Sequence, residues 1–282
     1  MNGWLIYTEA DSIRNKSYID WFIDEAKKQS ITLTLLLRED ISIGIQRDKQ
    51  IIHVKGKEIH ADFAVVRTMD PLLNKQLEQM GITVFNNAVI SETFNHKAHG
   101  YLAIQQLDIP VPESYFFPGK LIPSSLPLNF PFVAKTANGK GGNQVTMIYN
   151  QQEWEEYRKS GMEDYLLQSP KNIQLGKDLR VFVIGKKIIA AVLRSNANDF
   201  RANYSLGGTA SLYRLNKTEI RTIQKIIDAY DFGLAGIDFM FTEDGELIFN
   251  EIEDAVGSRT LSMLSDTNIL EEYIRFIKEK MQ

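Results

Sequence analysis

Three carboxylates near the end of the chain have the types and spacing of a cation-binding site. The segment 235–253 reads as two strands joined by Asp244-Gly245, a dipeptide typical of a two-residue type I′ hairpin turn. In that register Asp238 faces Glu251, and Glu253 lies diagonally on the same side. Like charges opposed across a hairpin destabilise it, so a hard cation, Mg2+ or Mn2+, would explain the trio. The alternative is a solvated acidic hairpin end, although the opposite face is strongly apolar and indicates a core.

A glycine-rich segment has the composition of a phosphate-binding loop. The strand 132–135 ends in Lys135 and is followed by Gly139, Gly141 and Gly142 before a second strand. Glycines let backbone N–H groups approach a phosphate closely, and the lysine adds compensating charge. The segment is not a Walker A loop, because no Gly-Lys is followed by Ser or Thr before a helix. Two interpretations remain open, a phosphate cradle and an ordinary glycine-rich hairpin.

Three arginines follow the loop, namely Arg180, Arg194 and Arg201. A single arginine that ends an apolar strand is more often a solvated surface residue than a ligand-binding one. Three of them in one region near a glycine loop and a carboxylate trio favour a phosphate clamp, because guanidinium groups bind phosphate oxygens bidentately.

The elements that must position these residues alternate between strand and helix patterns. Residues 1–88 have the βαβ spacing of a small open α/β sheet, interrupted by a polar hairpin. A helical pattern from Ser91 to Leu107 ends before prolines, and the aperiodic segment 116–130 reads as a connecting loop. Strands and amphipathic helices follow to the end of the chain. With 282 residues, we expect two or three lobes that share clefts.

The composition excludes several classes of protein. The chain has 32 Lys plus Arg against 36 Asp plus Glu, so it lacks the basic excess that non-specific binding of nucleic acid or an anionic membrane requires. Without cysteine it forms no disulfide, thiol nucleophile or thiolate metal site. The sequence has neither a signal-peptide pattern nor 18 consecutive apolar residues, and we expect a cytoplasmic protein.

In this order the motifs resemble the ATP-grasp superfamily, most closely the RimK-type carboxylate-amine ligases, over essentially the whole chain. The matching segments are Asn95-His96-Lys97, 107–112, 130–135 with the glycine loop, Gln168, 176–180, 190–194, and Arg201-Ala202-Asn203 through Gly207-Gly208. The resemblance implies an α/β protein with α+β lobes, in which an ATP-grasp fold follows a Rossmann-like N-terminal domain. The implied boundaries are 1–88 for that domain, 89–172 for the central lobe and 173–282 for the C-terminal lobe.

The resemblance also implies a function. It implies an ATP-dependent ligase that joins a small-molecule or peptide carboxylate to an amine through an acyl phosphate, releasing ADP and phosphate. ATP and Mg2+ (or Mn2+) are the implied cofactors, with the metal on Asp238, Glu251 and Glu253. Homo-oligomerisation is left open.

The resemblance assigns roles to further residues of this sequence. The implied nucleotide-binding residues are Lys97, Lys135, Gly139, Gly141, Gly142, Gln168, Lys171 and Asp178. The implied catalytic residues are Arg180, Arg194 and Asn203, which would stabilise the transferred phosphoryl group. Arg67, Arg201 and Arg259 are candidates for binding a substrate carboxylate, and for Arg67 and Arg259 a structural ion pair is an equal alternative.

Two departures from the family pattern leave the substrates open. Glu253 stands where the family usually has Asn, which adds negative charge at the metal, and Ser169-Pro170 replaces the usual acidic-aromatic hinge. Proline lacks an N–H, so the backbone of neighbours such as Lys171 would have to read adenine. The rival functions are an ATP-grasp kinase that phosphorylates a hydroxyl, and a nucleotide-binding module without catalysis.

Overall fold

The computed structural model describes residues 1–139, 144–159, 163–202 and 207–282; the predicted site residues Gly141, Gly142 and Asn203 lie outside these ranges. The strands are β1 (Asn2–Tyr7), β2 (Thr32–Leu37), β3 (Ile41–Gln46), β4 (Lys49–Val54), β5 (Lys57–Glu58), β6 (Phe63–Val66), β7 (Thr83–Phe85), β8 (Ser114–Phe117), β9 (Phe132–Thr136), β10 (Val145–Ile148), β11 (Tyr165–Gln168), β12 (Lys177–Ile184), β13 (Lys187–Ser195), β14 (Thr209–Leu212), β15 (Leu234–Phe241) and β16 (Leu247–Glu253). The helices are α1 (Glu9–Arg14), α2 (Lys16–Lys28), α3 (Pro71–Gln79), α4 (Ala88–Phe94), α5 (Lys97–Gln105), α6 (Gln151–Lys159), α7 (Lys217–Ala229), α8 (Arg259–Leu264) and α9 (Ile269–Lys280).

The N-terminal part of the chain forms a parallel sheet in the order β2-β1-β6-β7. Its central strands are buried on both faces, which explains the near-continuous apolar runs of β1 and β6. The last helix, α9, returns to this sheet and packs its apolar stripe against α2. A separate antiparallel sheet, β3-β4-β5, contains the polar hairpin that the sequence predicts. Among the described helices, none has the length and apolar character needed to cross a membrane.

The middle of the chain forms a second sheet in the order β10-β9-β11-β8, with all pairs antiparallel. The prediction that 116–130 is a connecting loop is wrong at its beginning, because Phe116 and Phe117 belong to β8 and pair with β11. Phe117 stacks on Tyr165, so the edge strand is fixed by side-chain packing as well as by the ladder.

The third sheet, β14-β13-β12-β15-β16, has one apolar face and one face, here called the charged face, on which charged residues stand beside buried apolar ones such as Phe182 and Val192. The apolar face carries Leu179, Val181, Ile237 and Phe239, which are fully buried against the amphipathic helix α7. Residues on alternate positions of the same strands therefore share the opposite face. This alternation places the predicted site residues of β12, β13, β15 and β16 on one surface.

The predicted single helix from Ser91 to Leu107 is two helices, α4 and α5, with a break at Asn95 and His96. The break is capped, because the His96 side chain accepts a hydrogen bond from the His99 N–H at the start of α5. The Lys97 N–H donates to the Ala137 carbonyl, 2.9 Å away. The break thus fixes Lys97 beside the glycine-rich loop.

The hairpin between β15 and β16 differs from the predicted two-residue turn. The Gly245 N–H donates to the Thr242 carbonyl and Gly245 has a φ of +86°, which describes a three-residue loop ending in a left-handed glycine. Phe239 consequently pairs with Phe249, one residue away from the predicted register. A register shift between Asp238 and Phe239 then restores the predicted pairing of Asp238 with Glu251.

Asn86 joins the N-terminal sheet to the third sheet. It is 3% exposed and follows β7. Its side chain donates to the Leu234 and Asp254 carbonyls at 2.9 and 2.7 Å, and accepts from the Gly233 N–H at 2.5 Å. One side chain thus satisfies three buried backbone groups at this junction.

Asn86→Ala should lower the free energy of unfolding by at least about 2 kcal/mol, because it leaves buried donors and acceptors without partners. Urea denaturation followed by circular dichroism measures this change. The exposed Asn198→Ala is the control and should change stability by less than about 0.5 kcal/mol. Equal stability of the two variants would contradict the role of Asn86.

Candidate functional site

The charged face of the third sheet brings the predicted residues together through strand register. Cross-strand partners project to the same face. The pairs on this face are Asp178 with Arg194, Arg180 with Asp238, Asp238 with Glu251, and Gly236 with Glu253. The charged residues of four adjacent strands therefore form one continuous cluster.

Two arginines and two aspartates form the buried centre of this cluster. Arg194 donates bidentately to Asp178 at 2.6 and 2.8 Å, and its Nη2 also donates to Asp238 at 2.8 Å. Arg180 donates bidentately to Asp238 at 2.8 and 2.7 Å. Asp238 is 1% exposed, so both of its oxygens are occupied by guanidinium groups away from solvent.

The ionisation of Asp238 follows from this geometry. Burial alone would raise the pKa of a carboxyl group, but Arg180 and Arg194 outweigh it and lower the pKa of Asp238 to about 2. Asp238 is therefore a permanent anion that holds both arginines in the plane of the cluster.

Two glutamates and two lysines extend the cluster towards the cavities around it. Glu253 accepts from Arg180 at 2.8 Å, and the Glu251 carboxylate lies 3.5 Å from Lys97 Nζ. Lys97 Nζ also donates to the Gly139 carbonyl at 2.7 Å, and Lys135 donates to Asn250 Oδ1 at 3.3 Å.

A cleft lies between the second and third sheets. It is lined by Lys97, Lys135, Gly139, Gln168, Asp178 and Glu251, among others. These are six of the predicted nucleotide and metal residues. Burial lowers the pKa of Lys135 to about 8, while Glu251 opposes this effect. The cleft thus contains a lysine that loses its charge as the pH rises through about 8.

The segment where the chain crosses from the second sheet to the third lines one end of the cleft. Gln168, Ser169 and Pro170 contribute to its wall, whereas Lys171 is exposed and does not. The Gln168 side chain donates to the Tyr101 hydroxyl at 3.0 Å and is therefore already bonded within the protein.

A second, larger cavity of about 760 Å³, here called the groove, opens on the other side of the cluster. It lies between the N-terminal sheet and the third sheet and is lined by residues of both, including Tyr18, Arg67, Ser258 and Arg259. Lys97, Gly139 and Glu251 line both the groove and the cleft. The two cavities therefore meet at these three residues, next to the charged cluster.

The three arginines predicted to bind a substrate carboxylate have different environments. Arg201 pairs with Asp199 at 2.8 Å and lines the cleft rather than the groove. Arg259 is exposed at the start of α8 and lines the groove. Arg67 is 7% exposed and also lines the groove.

Sequence patterns did not indicate three residues of the cleft. Asn250 reaches Lys135 because the register shift in β16 changes which side chains face the cleft. Thr136 and Gln144 hydrogen-bond to each other at 2.7 Å across the ends of the glycine-rich loop. A Cβ on Gly139 would lie 2.7 Å from Thr136 Oγ1, so a larger residue there would have to displace the Thr136 side chain from its bond to Gln144. A bulge in the strand and a side-chain bond across a loop leave no periodic signal.

The carboxylates fit a hard cation unequally. Carboxylate oxygens are the ligands that Mg2+ prefers, and Glu251 and Glu253 each meet one basic side chain at the edge of the groove. Asp238 can contribute only if a guanidinium group leaves it. In the part of the chain that the structure describes, no three His, Asp or Glu side chains are arranged to hold a metal ion by themselves.

Comparison with known proteins identifies a family and several relatives. The family described as "RimK-like ATP-grasp domain" matches residues 97–277. An uncharacterized protein, MG011 of Mycoplasma genitalium, is 28% identical over 284 residues and covers 99% of this chain and 93% of the relative. A probable alpha-L-glutamate ligase of Shewanella denitrificans is 25% identical over 254 residues, covering 84% and 85%.

A solved structure confirms the predicted fold class. The RimK domain ATP-grasp protein from Sphaerobacter thermophilus has a TM-score of 0.72 with 15% identity, and the match covers 99% of this chain and 98% of that one. The chain is therefore an α/β protein with the ATP-grasp fold.

Arg194→Met should lower the free energy of unfolding by about 3–5 kcal/mol, because it leaves buried carboxylates without their partner. The matched control is Arg201→Met, which breaks a more exposed pair and should cost less than about 1 kcal/mol. Denaturant titration of both variants measures the difference. Equal effects would show that burial does not set the strength of the Arg194 contacts.

Proposed function

The chain belongs to the RimK-like ATP-grasp family, whose pattern spans residues 97–277, and we propose that it is an ATP-dependent carboxylate-amine ligase. It would form an amide or peptide bond and release ADP and phosphate. The observation that carries this proposal is the junction of cleft and groove at Lys97, Gly139 and Glu251. A nucleotide in one cavity and an acid in the other would meet beside the arginine cluster.

ATP is proposed to lie in the cleft between the second and third sheets. Lys135 and Lys97 would bind its phosphates, and the loop that begins at Gly139 would cover them. Gln168, Ser169 and Pro170 line the end of the cleft where the base would lie. Their positions support the role in holding adenine that the resemblance implies for this segment. The Lys171 backbone does not line the cleft, so it could bind adenine only if the segment 168–171 changed its conformation.

Mg2+ would be held by Glu251 and Glu253, with Asp238 as a further ligand when a guanidinium group leaves it. Bound there, the metal would neutralise charge on the phosphate oxygens as they transfer. The four carboxylates of the cluster are balanced by four cations, so an added metal charge can free an arginine for phosphate. The eight side chains are Asp178, Asp238, Glu251, Glu253, Lys97, Lys135, Arg180 and Arg194.

The proposed reaction takes place where the cleft and the groove meet. A carboxylate oxygen of the acid forms a bond to the γ-phosphorus, and the bond from that phosphorus to the bridging oxygen breaks to release ADP. The amine then attacks the acyl carbon, phosphate leaves, and the amine nitrogen loses a proton. Arg180 and Arg194 lie beside the junction, where they would stabilise charge on the transferred group. Asn203, which lies outside the described residues, is proposed for the same role.

Turnover should yield ADP and phosphate, never AMP and pyrophosphate. In an assay with a panel of carboxylic acids and hydroxylamine, ATP-dependent hydroxamate should form with the true acid. Glu251→Gln should lower this rate at least about 100-fold, because it removes a charged ligand of the proposed metal and so weakens the neutralisation of the transferring phosphate. Glu253→Asn should be milder, because it restores the usual family residue.

The control for Glu251→Gln is Glu246→Gln, an exposed residue of the same hairpin, which should retain activity. AMP as the stoichiometric product would overturn the proposed reaction. A stable phosphate ester on a hydroxyl substrate would identify a kinase, and ATP binding without turnover on any acid would identify a binding module.

ATP affinity should fall as the pH rises through about 8. Phosphate near Lys135 raises its pKa above the value of about 8 in the free protein, so binding takes up a proton there. Calorimetry at pH 8.5 in buffers with different ionisation enthalpies measures the uptake, which Lys135→Met should abolish. Affinity that is constant between pH 7 and 9.5 would contradict the prediction.

Lys135 should affect the stability of the protein without ATP in the opposite direction: the free energy of unfolding should rise with pH, whereas ATP affinity falls. Between pH 8 and the ordinary lysine value of 10.5, the unfolded chain holds a proton that the folded chain has lost. The free energy of unfolding should therefore rise across this interval in the wild type relative to Lys135→Met.

A further inference from the structure

Arg67 lies at the position in the N-terminal sheet where open α/β sheets bind ligands. It follows the carboxyl end of β6, beside Tyr7 at the carboxyl end of the parallel strand β1. From β1 the chain continues to β2 on one side, and β6 lies on the other side. The boundary between β1 and β6 is therefore the topological switch point, and the crevice outside such a point is a common ligand site.

The guanidinium of Arg67 is buried and has no carboxylate partner among the residues that the structure describes. Its Nε donates to the Tyr7 hydroxyl at 3.2 Å and its Nη2 donates to the Val256 carbonyl at 2.9 Å. Within the described ranges, no Asp or Glu lies at ion-pair distance from it, unlike Arg180 and Arg194. The rings of Tyr7 and Tyr18 lie 5.9 and 5.5 Å from its central carbon and stabilise the charge without neutralising it.

An uncompensated buried charge is costly, so its presence in a cavity needs a reason. Of the five guanidinium N–H groups, two have partners in the described structure and three remain for a ligand. Since Arg67 lines the groove, an anion entering the groove can reach it. This distinguishes Arg67 from a structural ion pair, which was the alternative interpretation of the sequence.

Two hydroxyl groups in the same groove also lack a well-formed hydrogen bond. The Tyr18 Oη and Ser258 Oγ atoms are buried and have no partner with full hydrogen-bond geometry in the described structure. They lie close enough to each other for the Ser258 hydroxyl to oppose the rise in the pKa of Tyr18. Both residues line the groove, and Ser258 is 1% exposed. Burial raises the pKa of Tyr18 although Arg67 opposes it, so Tyr18 remains a neutral donor. Three groups that can donate a hydrogen bond to a ligand thus line the same groove.

The distance to the reaction centre limits the size of the ligand. Val256, which accepts from Arg67, follows Glu253 by three residues, so their Cα atoms are at most about 11 Å apart. A compact molecule can therefore contact Arg67 with one end and present its reacting group beside Glu253 and Arg180 with the other.

We propose that Arg67, Tyr18 and Ser258 form a carboxylate subsite for an acidic group of the substrate that takes no part in the reaction. One buried cation matches one negative charge, and the remaining guanidinium N–H groups suit the two oxygens of a carboxylate. On the proposed ligase function, which this inference presupposes, one of the two substrates is a small molecule with a second carboxylate. Arg67 selects for that group.

Binding of matched acid pairs without ATP tests the subsite separately from the ligase reaction. Each pair differs only in one terminal group: L-glutamate and L-glutamine, glutarate and its half-amide, succinate and its half-amide. In at least one pair, calorimetry should show that the diacid binds at least about tenfold more tightly than the half-amide, as expected for a hydrogen-bonded charge. The distant exposed Arg221→Met should preserve this ratio.

Arg67→Met should reduce the ratio to about one, and Tyr18→Phe should reduce it in part. Tyr18→Phe removes a hydroxyl that has no well-formed hydrogen bond, so it should leave the thermal midpoint unchanged and serves if Arg67→Met fails to fold. Diacids that bind no better than half-amides in every pair, or a ratio that survives in both variants, would overturn the subsite. Tighter binding of 3-phosphonopropionate than of succinate would assign it to phosphate instead. Hydroxamate formation from simple monoacids with unaltered rates in Arg67→Met would retain the ligase and reject the subsite.

Discussion

The pairing of Arg180 and Arg194 with Asp178 and Asp238 is the interaction on which the site depends. Four charged groups are removed from water in the third sheet, and this is tolerated only when each charge has a partner in good geometry. Bidentate contacts across neighbouring strands supply those partners. A one-residue slip of any of these strands would turn a charged side chain into the apolar core on the other face. The ion pairs of the cluster therefore form only when the strands have this register.

Because of this cluster, the charged face of the third sheet supplies charged side chains to both the cleft and the groove. Asp238 fixes the arginines and leaves four charged side chains at the edges of the cluster. Lys135 lines the cleft, Glu253 lines the groove, and Lys97 and Glu251 line both. The cations and carboxylates balance, so a phosphate or a metal that enters must exchange partners with them. Arg67 shows the contrasting arrangement, because its charge has no carboxylate partner among the described residues and faces the groove. A cluster in which cations and carboxylates balance can exchange partners with a phosphate or a metal ion. A buried cation without a carboxylate partner is suited to binding an anion.

Most elements of the fold could be predicted because they carry strong local signals. The buried parallel strands, the amphipathic helices α7 and α9 and the Asn150-Glu153 helix start are readable from apolar periodicity and capping chemistry. The errors fall where tertiary contacts override the local pattern. The helix predicted over 91–107 is broken where Lys97 meets Ala137, and Phe116-Phe117 becomes a strand because β11 offers it a partner. Neither partner is near in sequence.

The sequence by itself determined the kinds of chemistry available: the carboxylates, the glycine-rich loop, the arginines and their order along the chain, from which the family follows. The pairing of Asp238 with Glu251 was also predicted, but from a two-residue turn that the structure does not have. The register shift between Asp238 and Phe239 offsets the longer loop and restores this pair. Only the tertiary structure decided which charges are neutralised and which are not. Arg67, Arg201 and Arg259 are the same residue type in the sequence, yet their environments differ. Arg67 is buried with no carboxylate beside it in the described part of the chain, Arg201 is paired with Asp199, and Arg259 is exposed. The reason is physical: whether a charge is neutralised depends on burial and on partners distant in the chain, and both arise only when the sheets pack together.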